Sequence, residues 1–303
     1  MTTKIIKLTF QGPVHFGKKR LSDGEATFAA DTFFSGLYIE SLAMRMDTKW
    51  LLSDLAISDS FPFIGETLYL PKPFIKVEAQ ANDETNRKVF KKLNYVPASA
   101  YHEYLTGNIT ASQAKLWADQ FELGDGLLSD KVSLTDIPAG GESQPYAVGT
   151  YHYQSKAGLY IIVEATEDVF DKLDRLLESL QYAGLGGKRS AGYGRFTYEL
   201  TTNDTIEALL AKKGRQSVLL STAMATPDEL SLALPESRYL LKKRTGFVQS
   251  KSYEETLVKK KDFYSFAPGS VFTVPFEGAI FDVGENGGHP VYRYAKAIWM
   301  GVS

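Results

Sequence analysis

The chain's 303 residues allow two domains of roughly 150 residues each, and 44% hydrophobic with 13% aromatic residues supplies cores for them, which excludes wholesale disorder. Cysteine is absent, so disulfides, thiolate metal sites and a cysteine nucleophile are excluded and a reducing compartment fits. The net charge of −2 argues against a general nucleic-acid binder.

That average hides a segregation. From Arg238 to Lys261 there are eight Lys or Arg against Glu254 and Glu255, whereas Asp119 to Glu142 holds six acids and only Lys131. Such zoning suits one face for an anion and another for a protein; two solvated surfaces account for it equally well. Lys4 and Lys7 interrupt any signal-peptide core near the N-terminus. No run of 18 apolar residues occurs, so the expectation is a cytoplasmic protein with no membrane contact.

Lys4 to Phe10 alternates, with Ile6, Leu8 and Phe10 on one face, and predicts a strand. A polar loop follows from Gln11 to Ala30. Asp31 is placed as the N-cap of a helix in which Phe34, Leu37, Tyr38 and Leu42 fall at helical spacing. Phe74 to Ala79 predicts another strand. The polar stretch from about 80 to 149 reads as an insertion rather than part of a core, with helices near Glu84 to Leu93 and Ala111 to Phe121. At about 70 residues it far exceeds the roughly 4–6 of an ordinary connection, and Phe90, Leu93, Tyr95, Val96, Tyr101, Tyr104, Leu105, Trp117 and Phe121 make it too apolar for a disordered linker.

Val148 to Tyr153 and Gly158 to Glu164 predict strands. A helix follows with the apolar stripe Val169, Phe170, Leu173, Leu176, Leu177 and Leu180, and Glu167 and Asp168 favour the positive end of its dipole. A glycine-rich loop then leads to a strand from Arg195 to Leu200. With the insertion set aside, the order is strand, helix, strands, helix, strand, the split βαβ, ferredoxin-like pattern of an α+β fold. This assigns 1–205 to an N-terminal domain and 206–303 to a second. In the second, Gln216 to Ser221, Val271 to Val274, Ala279 to Val283 and Val291 to Met300 predict strands, and Asp228 to Leu234 a helix. A degraded second copy of the same fold is one reading; no internal repeat is visible.

The loop Gly184-Leu-Gly-Gly-Lys-Arg-Ser-Ala-Gly-Tyr-Gly-Arg195 is the most informative segment, with five glycines among positions 184 to 194. Glycines let backbone N–H groups approach an oxyanion, and Lys188, Arg189 and Arg195 add charge. It is not a P-loop: Tyr182 stands where the first glycine belongs, and Arg189 where Ser or Thr would follow Lys188. It runs from helix to strand, the reverse of the dinucleotide fingerprint. A plain glycine-rich turn remains the alternative.

No pair among His15, His102, His152 and His289 has metal-ligand spacing, and no metal or cofactor is expected. Asp23 and Asp31 are conceivable metal ligands, although a helix cap explains Asp31 better. His15 or His289 acting as a general acid or base stands against a histidine that hydrogen-bonds RNA or packs in a loop. Tyr292-Arg293-Tyr294 alternates on a strand, so the tyrosines either stack bases or sit half-buried in a core. Lys242 to Arg244 with Phe247 suits phosphate contact beside an aromatic, or a solvated strand edge.

The glycine-rich loop resembles the signature loop of the RAMP superfamily of CRISPR proteins. Three further segments carry the resemblance: His15-Phe16-Gly17 with Asp31-Thr-Phe-Phe-Ser-Gly-Leu37, then Lys243-Arg244-Thr-Gly-Phe247, then Gly288-His289-Pro-Val-Tyr292-Arg293-Tyr294. Ala295 stands where glycine is expected. In matching order over nearly the whole chain, they are similar to the RAMP subunits of type III-A (Csm) interference complexes that hold the 5′ handle of the guide RNA (crRNA).

The resemblance implies two ferredoxin-like (RRM-like) domains and a non-catalytic RNA-binding subunit. It implies contacts with the crRNA 5′ handle, the large polymerase-domain subunit and the neighbouring backbone RAMP subunit. Gly184, Gly186, Gly187, Lys188, Arg189, Ser190, Gly192, Tyr193 and Gly194 would form the RNA-facing loop, with His15, Phe16, Gly17 and Lys18 beside it. Lys243, Arg244, Phe247, His289, Tyr292 and Arg293 complete the expected interface. The acidic zone is expected to face protein, and part of the insertion to form a thumb-like hairpin that displaces a nucleotide. The alternative is a RAMP endoribonuclease that processes CRISPR repeat RNA.

Overall fold

Alternating burial along two strands divides the molecule. In a computed structural model that describes residues 1–75, 84–132, 145–248, 250, 253, 258–285 and 287–302, the first strand, β1 (Thr2–Phe10), sends Ile6 and Leu8 into one core and Ile5 into another. This is the side-chain period of two that a strand dictates. A short hairpin follows, β2 (Phe16–Gly17) with β3 (Gly24–Glu25), then helices α1 (Ala30–Ala43) and α2 (Lys49–Ser53). Next come strands β4 (Ala56–Ile57), β5 (Phe61–Ile64) and β6 (Thr67–Pro71), helix α3 (Glu84–Lys92) and strand β7 (Tyr95–Pro97).

Helices α4 (Tyr101–Leu105) and α5 (Ala111–Asp119) lead to a long hairpin, β8 (Gly124–Val132) with β9 (Pro145–Tyr153). Strand β10 (Ala157–Ala165), helix α6 (Glu167–Ala183) and strand β11 (Phe196–Thr201) complete the first half. The main sheet runs β11-β1-β10-β5-β6-β7, with β4 also on β10, and its pairings are antiparallel. Leu159, Ile161, Val163 and Ala165 of β10 face one core and Tyr160 and Ile162 the other, so this central strand reads as a continuous apolar run.

The first core lies under α1 and α6, whose residues Phe33, Phe34, Leu37, Val169, Phe170, Leu173, Leu176, Leu177 and Leu180 fill it. The second core, on the opposite face, joins Phe90, Leu93, Val96, Tyr101, Tyr104 and Ala114 to Val218, Leu220, Val271, Ile298, Met300 and Val302. The stretch read from sequence as lying outside any core therefore contributes a strand to the main sheet and much of a core. Two tyrosine hydroxyls buried in this core have partners: Tyr101 donates to Pro71 O at 2.8 Å and Tyr160 to Tyr69 O at 2.8 Å.

The remaining elements are α7 (Asp204–Leu210), β12 (Gln216–Leu219), α8 (Pro227–Ala233), β13 (Leu241–Arg244), β14 (Phe263–Phe266), β15 (Val271–Phe272), β16 (Gly278–Asp282), β17 (Tyr292–Lys296) and β18 (Trp299–Val302). They form a three-stranded sheet, β15-β12-β18, and the hairpins β13-β14 and β16-β17. The single strand predicted from Val291 to Met300 is two strands. It breaks at Ala297 and Ile298 because its halves pair in different sheets, β17 with β16 and β18 with β12.

Two other expectations change. Phe74 and Ile75 are not in a strand, and the rest of the segment predicted from Phe74 to Ala79 lies outside the described residues. Asp31 is not the N-cap of α1. The cap position is Ala29, and the Ala30 N–H donates to Asp59 Oδ1 at 2.9 Å. The Thr222 N–H donates to the same oxygen at 2.6 Å, so one buried carboxylate closes the helix start and ties it to the C-terminal half.

Candidate nucleic-acid interface

The loop after β1 and the loop after α6 fold onto each other. Val14 and Tyr151 exchange backbone hydrogen bonds at 3.0 and 2.9 Å, which sets the path of the first loop. The Gly187 and Gly194 N–H groups donate to His15 O at 2.9 Å and Pro13 O at 3.0 Å. The glycine-rich loop thus directs two of its amides at protein carbonyls rather than into open space. Close approach requires glycine here: at Gly186, with φ +89°, a Cβ would stand 2.6 Å from His15 O. His15 is buried, and its Nδ1 donates to Gly149 O at 2.6 Å; the carbonyl only accepts, so Nδ1 carries the proton.

Opposite these loops stands a wall from the C-terminal half. Arg244 at the end of β13 and Arg293 on β17 converge on Asp31 in the first turn of α1. Arg244 Nε donates to Asp31 Oδ2 at 3.0 Å and its Nη2 to Oδ1 at 2.5 Å, a bidentate pair of the strong kind. Arg293 Nη1 donates to Asp31 Oδ2 as well. Burial pushes the Asp31 carboxyl up, but the two guanidinium charges and their hydrogen bonds outweigh it and hold the group below the usual carboxylate range.

Between the walls lies a groove. Its lining includes His15, Phe16, Gly17, Gly184, Gly186, Gly187, Arg189, Arg244, Tyr292 and Arg293 from the predicted interface. Segments as far apart as His15 and Arg293 therefore meet in one place. Arg189, Arg244, Arg293 and Lys260 line it against Asp31 and Glu25, so the groove is cationic within a chain of net charge −2.

The other predicted residues do not line it. Lys18 pairs with Glu25 at 2.7 Å and Lys243 with Asp262 at 2.7 Å. Lys188 Nζ lies 4.5 Å from the centre of the Tyr146 ring and donates to its hydroxyl at 3.3 Å. Tyr193 is buried under Lys131, whose Nζ lies 5.4 Å above its ring. Burial pushes the Tyr193 phenol up, but hydrogen bonds with Lys131 and Ser129 and the charges of Lys131 and Lys188 bring it below its ordinary value. Both contacts clasp the glycine-rich loop to the β8-β9 hairpin.

Ser190 and Gly192 lie at the outer turn of the glycine-rich loop and Gly194 against Pro13. Phe247 is half exposed beside the groove's C-terminal wall, and His289 bonds Ser250 at 2.9 Å. Of the two tyrosines, Tyr294 is buried and its oxygen accepts from the Ile57 N–H at 2.7 Å, whereas Tyr292 packs edge-on against Tyr38 and reaches the groove.

Sequence reasoning missed Asp31 as the hub of the wall and Lys260 as a lining cation. An acid at the start of a matched segment and a lysine within the counted basic run were the only signals. Asp125 and Asp130 of the acidic zone lie on β8, apart from the groove lining; Asp136 is outside the described residues. Leu127, Leu128 and Val132 stand exposed on that hairpin. Among the described residues no group of three His, Asp or Glu could hold a metal ion, and no helix is long and apolar enough to cross a membrane.

Residues 212–302 match the model of the CRISPR Csm4 C-terminal domain. The chain is 34% identical to the CRISPR system Cms protein Csm4 of Mycobacterium tuberculosis, over 99% of this chain and 98% of that protein. It is 33% identical to the Csm4 of Streptococcus thermophilus, over 99% of each. Its fold is similar to a chain of the Csm3-Csm4 subcomplex of the type III-A CRISPR-Cas interference complex, with TM-score 0.69, 15% identity and 99% of each chain covered. A chain of the Csm1-Csm4 cassette with pppApA gives TM-score 0.63 at 19% identity, over 100% of this chain and 98% of that one. Matching motifs brought to one cationic groove, and about one-third identity with Csm4 proteins over 99% of the chain, place the chain in the CRISPR Csm4 family.

Proposed function

We propose that this protein binds RNA without cutting it. It caps the 5′ handle of the crRNA in a type III-A effector complex and links the large polymerase-domain subunit to the neighbouring backbone RAMP subunit. The observation that carries this reading is the convergence of four separate matched segments on one groove whose charge opposes that of the whole chain. A cationic groove tracks a phosphate backbone. Relatives solved as Csm3-Csm4 and Csm1-Csm4 assemblies support the two protein partners. The reading extends to an RRM-like N-terminal domain, supported by the order β11-β1-β10-β5 of its main sheet, in which the first and third strands of the split βαβ pattern sit at the centre.

The absence of catalysis is part of the proposal. Of the four histidines only His15 lines the groove, its Nδ1 proton is engaged by a carbonyl, and among the described residues the only lining carboxylates are Asp31, held between two arginines, and Glu25. Incubating the purified protein with labelled repeat RNA tests this. Binding without cleavage is expected. Arg189→Ala should lower the salt slope by about 0.7, and Lys188→Ala by less, because Lys188 rests on Tyr146. Cleavage lost in His15→Ala would instead make the protein the processing endoribonuclease. Absence of both binding and cleavage would sink both readings.

A further inference from the structure

Arg244 and Arg293 meet the same carboxylate with different edges. Arg244 spends its Nε–Nη2 edge on Asp31 in a bidentate pair. Arg293 reaches Asp31 through Nη1 alone. Its Nε and Nη2 are buried and have no hydrogen-bond partner. Those two nitrogens form one edge of the planar guanidinium, the edge whose parallel N–H bonds match two oxygens of a phosphate.

Buried donors are satisfied in nearly all native structures, so an orphaned guanidinium edge asks for a missing acceptor. Arg293 is only 8% exposed, yet it lines the groove. A second cation stands beside it. Lys260 lines the same groove and makes no ion pair among the described residues. Burial pushes Lys260 below its ordinary value, and the charge of Arg293 pushes it the same way, more strongly than the charge of Arg244; Asp31 opposes both. An unused bidentate edge on Arg293 and a second, mutually repelling cation at Lys260, both lining one groove, suit a single anionic group. Of the two carboxylates that line the groove among the described residues, Asp31 is already shared by two arginines and Glu25 pairs with Lys18.

We infer that the Nε–Nη2 edge of Arg293, with the Lys260 ammonium, forms a subsite for one backbone phosphate of the bound RNA, and that Asp31 is the positioning residue that holds the edge in place. The subsite rests on the proposed RNA-binding function and adds to it the group that one wall of the groove reads. A guanidinium fixed by a buried carboxylate loses little freedom when the phosphate arrives, so the contact costs less ordering than a free surface arginine would. Lys260 has a long stem and moves onto the anion from the open side.

The test uses the full-length protein and a short single-stranded RNA in which each phosphate in turn is replaced by a neutral methylphosphonate. One position is expected at which neutralisation weakens binding about tenfold to a hundredfold. Arg293→Lys keeps a cation for Asp31 and loses the edge. It should weaken binding of the natural RNA by a similar factor and add nothing at that one position. Lys260→Met should lower the salt slope by about 0.7. Losses from Arg293→Lys that add to every methylphosphonate alike would overturn the subsite. The Arg293 Nε–H resonance gives a second readout in the unaltered protein and should shift on adding the RNA and on adding inorganic phosphate. RNA binding with that resonance unmoved sinks the subsite and leaves the RNA-binding function standing. A shift with inorganic phosphate but no RNA binding sinks the RNA-binding function, and the phosphodiester occupant with it.

Discussion

The two walls of the groove solve one problem by different physics. The wall made by the loops at His15 and Gly184–Gly194 is built from backbone, with glycines that allow one loop to lie against another and amides satisfied by Pro13 and His15 carbonyls. Its charged side chain at Lys188 is tethered outside the lining, on Tyr146. The wall made by Arg244 and Arg293 is built from charge, with both guanidinium groups paired to the buried Asp31. The first wall therefore depends on close backbone approach, at Gly186 above all, and the second on the charge of one carboxylate.

The largest expected effect breaks the second wall. Asp31→Asn leaves the buried Arg293 and the part-buried Arg244 without the carboxylate they share, and removing one partner of a buried ion pair costs roughly 3–5 kcal/mol. Urea denaturation should show that loss as a lower midpoint. Acid sharpens the assignment. Because the folded-state pKa of Asp31 lies below its unfolded value, its stabilisation is fully present above the unfolded value of about 3.9 and is lost as pH falls through the folded one. The stability gap between the wild type and Asp31→Asn should therefore close on acidification below about pH 4. A gap that persists unchanged there would mean the ion pair is not its source.

The next effect breaks the first wall. Gly186→Ala places a Cβ against His15 O at a positive φ, and such strain costs about 1–3 kcal/mol. Gly192 has φ +83° but open space around it, so Gly192→Ala should cost only about 1 kcal/mol. The difference between the two melting temperatures measures the close approach apart from the dihedral. Equal shifts would mean that the loops do not press together as described.

The smallest effect concerns the clasp to the hairpin. Lys188→Met removes a partly exposed cation–π contact of about 0.5–1 kcal/mol. Global stability should barely change, while amides of β8 and β9 near Tyr146 should exchange hydrogen faster. Unchanged exchange would mean that Tyr193 with Lys131 holds the hairpin alone.

Much of the first half was legible in the sequence because its signals are local. The alternation around Ile6 and Leu8, the apolar stripe of α6 and the two helices of the insertion are periodicities within a few turns of chain. The short strands β4 to β7 gave no such signal, since their burial comes from residues far away, Val218, Ile298 and Met300 among them. Asp31 shows the same limit at the site. An acid at a helix start reads as a cap, and nothing local announces that arginines 213 and 262 residues away will claim it.

The sequence by itself determined the mixed α+β class, most of the helices, the family signature and part of the lining of one groove, because motif and periodicity are properties of neighbouring residues. Only the tertiary structure decided which cations face the groove and which are spent on Tyr146, Glu25 or Asp262. It also decided that the one carboxylate fixing the C-terminal wall comes from the N-terminal helix. Charge acts through space, with a reach set by burial and distance rather than by order along the chain.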